Sequence, residues 1–223
     1  MPRFRSFDGL SISYLDEGEG PALLLLHGFG SDAERDFGDR GGSSLIEQIA
    51  STRRVLAPDL RGHGASDGPI QPAAYAARAM ARDLSALMDE LDLKSATVVG
   101  NSLGAYTAVE FALRDSRVKA LCLSGVGPLT AEDVDPWRAD ELARRGADDP
   151  LSAWLQGAVL PQLCVGEFPS VRCPVLVIDA VSDPLDGASF AAGFPHGRLV
   201  SIPGDHASVL DQPEWRVAVL SSV

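Results

Sequence analysis

Residues Val98–Ala108 read VVGNSLGAYTA and place Ser102 between Gly100 and Gly104, directly after an apolar run. The residues before the serine, ATVV, predict a buried strand, and those after it, LGAYTAVEFAL, predict a helix. A serine on such a strand-to-helix turn has strained backbone geometry and needs small neighbours, which the glycines supply. The N-terminus of a helix also favours an oxyanion. The stretch predicts a nucleophile, although G-x-S-x-G alone is weak evidence in a chain with 22 glycines.

Short apolar runs recur along the chain and alternate with helical patterns. Continuous apolar character predicts strands buried on both faces, as in a parallel sheet. The runs are RFRSF (3–7), LSISYL (10–15), ALLLLH (22–27), RVLAPD (54–59), ATVVG (96–100), KALCLSG (119–125), PVLVIDA (174–180) and RLVSI (198–202). The first two alternate in polarity and are joined at Asp8–Gly9, a pair typical of hairpin turns. We expect an α/β fold with a mostly parallel eight-stranded sheet and helices on both faces.

The clearest helical pattern covers residues 72–92, with Pro72 near its start. Residues 128–171 break the alternation, because they are helix-prone and contain no strand pattern. One interpretation is a long crossover helix with a loop. A short helical cap insertion is favoured, since connections of this length are uncommon. We expect a core formed by residues 1–127 and 172–223 and a cap at 128–171.

Side chains of the cap either line an acyl pocket or hold the cap to the core: Trp137, Trp154, Leu155, Leu160 and Phe168. Packing is favoured, because helical aromatic residues usually bury against a neighbour. The polar, glycine-rich segment 31–44 either borders the entrance or forms a mobile surface loop, and we expect the loop.

Composition and charge argue against several classes of protein. The 223 residues suit one large α/β domain, and the formal net charge is −12. No basic cluster is present, so we expect no nucleic-acid partner. The N-terminus carries charges where a signal peptide needs apolar residues, and the longest apolar run is too short to cross a bilayer. We expect a cytoplasmic protein without a membrane partner.

The three cysteines form neither a disulfide framework nor a zinc-binding spacing. Cys122, Cys164 and Cys173 are predicted to be core or near-core thiols, because free cysteine behaves as a small hydrophobe. No metal site is expected.

A serine nucleophile needs a histidine base, and the chain has four histidines. Sites in open parallel sheets lie at the carboxyl ends of the strands. His206 follows the last predicted strand and lies at that edge, whereas His196 precedes the same strand. His27 and His63 also follow strands, but each stands before a glycine and is interpreted as part of a tight turn.

The acid that orients the base is assigned by the same edge rule. Asp183 follows the strand PVLVIDA by a few residues and is the favoured choice. Asp179 and Asp186 remain alternatives, the latter as a helix cap. Asp205 is adjacent to the proposed base and is left outside. The chain order Ser102, Asp183, His206 is then nucleophile, acid, base.

The chain resembles the α/β-hydrolase fold family, specifically small, cofactor-free, esterase-like members. Five blocks carry the likeness in the family's order: LLLLHGFGSD, VLAPDLRGHGASD, VVGNSLGAYTA, PVLVIDAVSDP and VSIPGDHASVLDQP. The resemblance implies Ser102, Asp183 and His206 as a catalytic triad. It also implies that the backbone amides of Phe29 and Leu103 form the oxyanion hole.

Two departures from the family pattern matter. The cap is short, which implies a more open site, and an aspartate precedes the histidine where glycine or alanine is common. Serine at position 102 argues against the dehalogenases and epoxide hydrolases of this fold, whose elbow nucleophile is aspartate.

We expect hydrolysis of a small-molecule carboxylic ester through an acyl-enzyme, with no metal or organic cofactor. Cleavage of another acyl-type bond, in a thioester, lactone, amide or β-diketone, would use the same residues. A ligand-binding protein on the same fold is the alternative from another class, because a fold alone does not determine function. Acyl length and oligomeric state are left open by the sequence.

Overall fold

Eight strands form one sheet in the computed structural model, which describes residues 1–39, 44–75, 78–158 and 165–223. They are β1 (Arg3–Arg5), β2 (Ser11–Glu17), β3 (Ala22–Leu26), β4 (Arg54–Pro58), β5 (Ala96–Asn101), β6 (Val118–Ser124), β7 (Val175–Ala180) and β8 (Gly197–Ile202). Their spatial order is β1-β2-β4-β3-β5-β6-β7-β8. The pairs β1–β2 and β2–β4 are antiparallel and the remaining pairs are parallel, which confirms the predicted sheet.

Helices pack on both faces of the sheet. They are α1 (Ala33–Phe37), α2 (Leu45–Ala50), α3 (Ala79–Glu90), α4 (Leu103–Ala112), α5 (Ala131–Ala143), α6 (Pro150–Gly157), α7 (Gly187–Ala192) and α8 (Pro213–Ser222). In β3, Leu24 and Leu26 join one apolar cluster, whereas Leu23 and Leu25 join the other. Because successive strand side chains point to opposite faces, this run of leucines is buried on both sides.

The helix predicted over 72–92 begins later than its pattern indicates. Residues Pro72–Tyr75 form a 3-10 turn, and α3 begins at Ala79 after Arg78, whose φ is 73°. The carbonyl oxygen of Ala74 accepts a hydrogen bond from the fully buried Arg61 guanidinium at 2.5 Å. This tertiary contact holds the turn and overrides the local preference for helix.

Between β6 and β7 the described residues form α5, α6 and a 3-10 turn at Val165–Ser170, without a strand. Helix α6 approaches the 72–75 turn so closely that a Cβ on Gly157 would lie 1.8 Å from the Pro72 carbonyl oxygen. Three side chains of the segment are at most 2% exposed and join the larger apolar cluster: Trp154, Leu155 and Phe168. The segment therefore contributes to the apolar core, and its separation as a cap at 128–171 stays a prediction.

The prediction of a mobile loop over 31–44 is wrong for the part that the structure describes. Residues 33–37 form α1, in which Ala33 and Phe37 are fully buried. Asp32 caps this helix by accepting the Arg35 N–H at 2.8 Å. Burial of two apolar side chains four residues apart ties the segment to the core despite its polar composition; residues 40–43 lie outside the described ranges.

The cysteines that the structure describes agree with the predicted thiols. Cys122 is buried, and burial raises its pKa to about 12, while Cys173 is partly exposed. Cys164 and the cap residue Leu160 lie outside the described residues. No helix in the described ranges combines the length and apolar character that a bilayer crossing requires.

Candidate active site

The backbone of Ser102 has φ 50° and ψ −117°, a strained conformation that costs about 1–3 kcal/mol. Its N–H donates to the Ser124 carbonyl at 2.8 Å, so the end of β6 supports the turn. A Cβ on Gly100 would lie 2.6 Å from the Gly104 carbonyl oxygen, and a Cβ on Gly104 would lie 2.0 Å from that of Leu26. Strand, turn and helix thus meet at the tight elbow that the sequence predicts, and only glycine fits two positions before and two positions after the serine.

Three side chains singled out from the sequence converge at the carboxyl edge of the sheet. Ser102 follows β5, Asp183 follows β7 and His206 follows β8. The Nε2 atom of His206 lies 3.1 Å from Ser102 Oγ, and its Nδ1 atom lies 2.9 Å from Asp183 Oδ2. The Asp183 side chain is 3% exposed, whereas that of His206 is 41% exposed. An ionised aspartate accepts the Nδ1 hydrogen, which leaves Nε2 to accept the serine hydroxyl hydrogen.

The two alternative acids form hydrogen bonds with the backbone at the beginning of α7. Asp186 caps the helix and accepts the Ser189 N–H at 2.9 Å. Asp179 is hydrogen-bonded to the Gly187 backbone, and its pKa is raised by burial and by the neighbouring charge of Asp183. Neither carboxylate is the one bonded to the histidine.

Asp205 and His196 also lie apart from this convergence. The Asp205 carboxylate accepts the N–H groups of Ala207 at 3.1 Å and Ser208 at 2.9 Å, so it closes its own turn. The hydrogen bond from the Ser208 hydroxyl, followed by these backbone hydrogen bonds, lowers its pKa. His196 precedes β8 and is exposed at the opposite end of that strand, as the edge rule predicts.

His27 and His63 are buried and hold turns. The Leu60 N–H donates to His27 Nε2 at 2.9 Å, so Nδ1 carries the hydrogen and donates it to the Gly28 carbonyl at 2.8 Å. His63 Nδ1 lies 3.1 Å from the Arg61 carbonyl oxygen. Burial lowers both pKa values, that of His63 to about 3. Both rings are therefore neutral at pH 7, and their contacts agree with the interpretation as turn residues.

Acid is expected to destabilise the protein through His63. Its pKa is about 3 when folded and about 6.5 when unfolded, so below pH 6.5 only the unfolded state gains the proton. The stabilisation is complete above pH 6.5 and is lost as the pH falls towards 3. At about 1.4 kcal/mol per pH unit, lowering the pH from 7.5 to 5.0 should cost about 2 kcal/mol through this residue. Urea unfolding at the two pH values measures the loss.

The matched variants are His63→Gln and His196→Gln, since His196 is exposed. The first should reduce the pH-dependent loss by about 2 kcal/mol, and the second should leave it unchanged. An unchanged loss in His63→Gln would mean that this ring does not couple folding to protons.

A buried carboxylate fixes the loop that follows β3. Asp36 of α1 accepts the Gly28 N–H at 2.8 Å and the Ser31 hydroxyl at 2.5 Å. Asp36 is 7% exposed and was missed in the sequence analysis. The signal that would have revealed it is an acidic side chain on the same helical face as the buried Ala33 and Phe37.

Phe29 and Leu103, the two residues that the family resemblance assigns to the oxyanion hole, lie beside Ser102 and His206. All four line one cavity with a volume of about 710 Å³. Leu103 is the first residue of α4, so its N–H has no acceptor within the helix. The positions of both residues are consistent with backbone donors facing the serine.

The Phe29 ring joins this loop to the segment between β6 and β7. Its centroid lies 5.1 Å from that of Trp137 and 4.8 Å from that of Trp154, and the Arg145 guanidinium lies 5.4 Å from it. Arg145 in turn donates to Glu141 at 3.0 Å. Both tryptophans line the cavity, whereas the other two described candidates for a pocket lining are buried in the core. Trp137 therefore fits the pocket interpretation, Leu155 and Phe168 fit the packing interpretation, and the 2% exposed Trp154 takes part in both.

A hydroxyl, an imidazole, a carboxylate and a helix N-terminus thus surround one cavity. These are the groups that nucleophilic acyl transfer requires. Within the ranges that the structure describes, no three side chains of His, Cys, Asp or Glu converge as they do around a metal ion.

Comparisons with known proteins agree with this architecture. Residues 21–156 match the family model described as alpha/beta hydrolase fold. Over 117 residues the chain is 38% identical to epoxide hydrolase 2 of Siraitia grosvenorii, a match that covers 52% of this chain and 35% of that protein. Over 131 residues it is 35% identical to the uncharacterized protein Rv2715 of Mycobacterium tuberculosis, covering 58% of this chain and 36% of that one. The match thus spans about a third of the length of these curated relatives.

Solved structures are similar over nearly the whole chain. The enol-lactonase of Burkholderia xenovorans LB400 superimposes with a TM-score of 0.81 at 21% identity, covering 99% of this chain and 98% of that one. An esterase of Thermogutta terrifontis gives a TM-score of 0.76 at 23% identity, covering 99% and 96%. At 21% and 23% identity, this similarity shows that the fold is shared.

Proposed function

The chain belongs to the α/β hydrolase fold family, and from that premise we propose that it is a serine hydrolase that cleaves a small-molecule carboxylic ester. One observation carries the proposal: Asp183, His206 and Ser102 form a continuous hydrogen-bonded line that ends at the cavity wall. A scaffold protein has no need to hold a serine in a strained turn beneath a histidine. Strained residues cluster at functional sites.

In the proposed reaction, Ser102 Oγ attacks the ester carbonyl carbon while His206 Nε2 removes the hydroxyl proton. Asp183 holds the ring and stabilises the imidazolium. The N–H groups of Phe29 and Leu103 bind the oxyanion of the tetrahedral intermediate, a contribution of about 3–4 kcal/mol per donor. His206 then protonates the leaving alcohol, and water, deprotonated by the same histidine, hydrolyses the acyl-enzyme.

The cavity supports a small, largely apolar acyl or alcohol group. Its lining includes Leu129, Val134, Trp137, Trp154 and Leu185, and its volume of about 710 Å³ is typical of small-molecule sites. We propose that α5 and α6 act as the cap, because α5 supplies Val134 and Trp137 to this wall. The partner is then a small-molecule acyl substrate, and the net charge of −12 disfavours nucleic acid.

The names of similar proteins suggest two neighbouring chemistries. Enol-lactone cleavage is compatible with the site, because a lactone is a cyclic ester and needs the same nucleophile and oxyanion donors. Epoxide opening is less compatible, since it is associated in this fold with an aspartate at the elbow, whereas this chain has Ser102.

Labelling with a fluorophosphonate probe tests the proposal directly, because the probe phosphonylates an activated serine. The wild type is expected to react within minutes, and Ser102→Ala and His206→Ala are expected not to react. Ser51→Ala, an exposed serine at the end of α2, is the matched control and should label normally. In-gel fluorescence measures labelling, and hydrolysis of 4-nitrophenyl acetate runs in parallel. A folded wild type that stays unlabelled, or label that persists in Ser102→Ala, would contradict the proposal.

A further inference from the structure

A line of buried polar side chains runs behind the elbow from the last helix to the cavity. Trp215 Nε1 of α8 donates to Ser124 Oγ at 3.1 Å, and Ser124 Oγ donates to Asn101 Oδ1 at 3.0 Å. Trp215 is 2%, Ser124 1% and Asn101 8% exposed. The mechanism above uses none of these side chains.

The indole N–H determines which group donates and which accepts in both hydrogen bonds. An indole N–H only donates, so Ser124 Oγ accepts from Trp215 and has its own hydrogen left to give. Asn101 Oδ1 takes that hydrogen, because reversing the amide would leave the Ser124 hydroxyl without this acceptor in a buried site. The amide orientation is therefore fixed, and the Nδ2 hydrogens are on the side away from Ser124.

The Nδ2 group lies close to the nucleophile and to the loop after β3. Asn101 lines the cavity together with Ser102 and Gly28. Nδ2 lies 3.4 Å, and Ser102 Cβ 3.6 Å, from the point that a Cβ on Gly28 would occupy. Among the described residues no acceptor pairs with this nitrogen. Nδ2 is not among the buried polar atoms that lack a partner, so it is open to the cavity, and an open donor beside the nucleophile points to a ligand acceptor.

An acyl group on Ser102 would offer two oxygen positions to a donor beside the nucleophile. One is the scissile carbonyl oxygen, which the amides of Phe29 and Leu103 already serve in the proposed function. The other is a substituent on the neighbouring carbon. We propose that Asn101 Nδ2 donates to an oxygen substituent on the carbon next to the scissile carbonyl, so that the site prefers 2-hydroxy or 2-oxo acyl esters. Ser124 and Trp215 are positioning residues that keep the donor towards the cavity; this assignment rests on the proposed serine-hydrolase function.

Methyl lactate and methyl isobutyrate test the preference, because they differ only by hydroxyl against methyl at that carbon. The preference is the ratio of kcat/KM for lactate to that for isobutyrate, divided by the ratio of their hydroxide-catalysed rates, because the 2-hydroxyl itself activates the ester. In wild type it is expected to be at least about tenfold, since a site built to bind a hydroxyl rejects its analogue. Asn101→Leu, which keeps the volume but removes the donor, should abolish this corrected preference. Hydrolysis is followed by pH-stat titration, and circular dichroism melting checks that the variant is folded.

Trp215→Phe tests the positioning role. It removes the donor that orients Ser124 while keeping an aromatic ring against Phe37, whose centroid lies 6.4 Å from that of Trp215. The preference for lactate should fall about threefold to tenfold in the wild-type background and not at all in Asn101→Leu. A purely structural role would change kcat/KM for both esters alike in both backgrounds.

The outcomes separate the two proposals. If fluorophosphonate labels Ser102 but wild type shows no preference for lactate, or if Asn101→Leu slows both esters equally, the assignment of Asn101 is overturned while the serine hydrolase stands. If Ser102 is not labelled at all, both are overturned.

Discussion

Alanine at position 102 is expected to lower kcat for a short-chain ester by about 10⁶-fold, with the melting temperature nearly unchanged. The expected loss is large because the hydroxyl is the only group at the end of the Asp183–His206 line that can form the acyl bond. Alanine keeps the Cβ and the positive φ of 50°, so the turn and its packing are retained. Steady-state hydrolysis of 4-nitrophenyl acetate measures the residual activity of the variant. Prior treatment with fluorophosphonate inactivates any trace of contaminating wild-type enzyme.

His206→Ala should lose about as much activity, and the double variant should lose no more than either single variant, because the two residues act as a unit. Asp183→Asn is expected to cost about 10⁴-fold, since the amide favours the wrong tautomer of the imidazole. Multiplicative losses would show that the histidine acts independently of the serine. Near-wild-type turnover in Ser102→Ala would remove the acyl-enzyme from the mechanism.

The edge rule explains why much of the site is readable from the sequence. Ser102, Asp183 and His206 each follow a strand, and in a parallel sheet the carboxyl ends of strands share one edge. The same rule separates His206 from His196 without any knowledge of side-chain positions. Apolar runs sufficed to predict the sheet for the same reason: strands buried on both faces, such as β3, leave an unbroken signal.

What the sequence analysis missed are contacts between segments far apart in the chain. Asp36 supports the loop after β3, and Arg61 holds the turn that delays α3. The Trp215–Ser124 hydrogen bond joins residues 91 positions apart. Local periodicity carries no information about such pairs, so it does not distinguish the polar residues that form them from solvent-facing ones.

Phe29 connects the proposed chemistry to the helical segment between β6 and β7. Its backbone is assigned to the oxyanion, while its ring packs on Trp137 of α5 and Trp154 of α6. A shift of either helix therefore moves a residue next to the nucleophile. Small displacements of catalytic groups carry large rate penalties, so we expect the packing of α5 and α6, the proposed cap, to influence the reaction.

Gly104→Ala is expected to produce the largest loss of stability, about 4–5 kcal/mol or failure to fold. A Cβ at this position would lie 2.0 Å from the Leu26 carbonyl oxygen and 2.7 Å from that of His27, both backbone atoms that cannot rotate away. Helix α4 would have to move off β3, opening the core over Leu24 and Leu26. Alanine gains only about 1 kcal/mol in helix propensity over glycine, so the clash outweighs this gain and the variant is expected to be less stable.

Gly146→Ala is the matched control, because no atom lies within 4 Å of its Cβ position and its backbone is outside the left-handed region. It should change the free energy of unfolding by no more than about 0.5 kcal/mol or raise it slightly, since the unfolded chain loses freedom. Urea unfolding of both variants, with the soluble yield recorded, makes the comparison. Equal stability of the two would mean that α4 and β3 do not meet at this glycine. In the structure, α4 approaches β3 so closely at Gly104 that no side chain fits there. A stable Gly104→Ala variant would therefore show that another contact holds the N-terminus of α4 at the nucleophile.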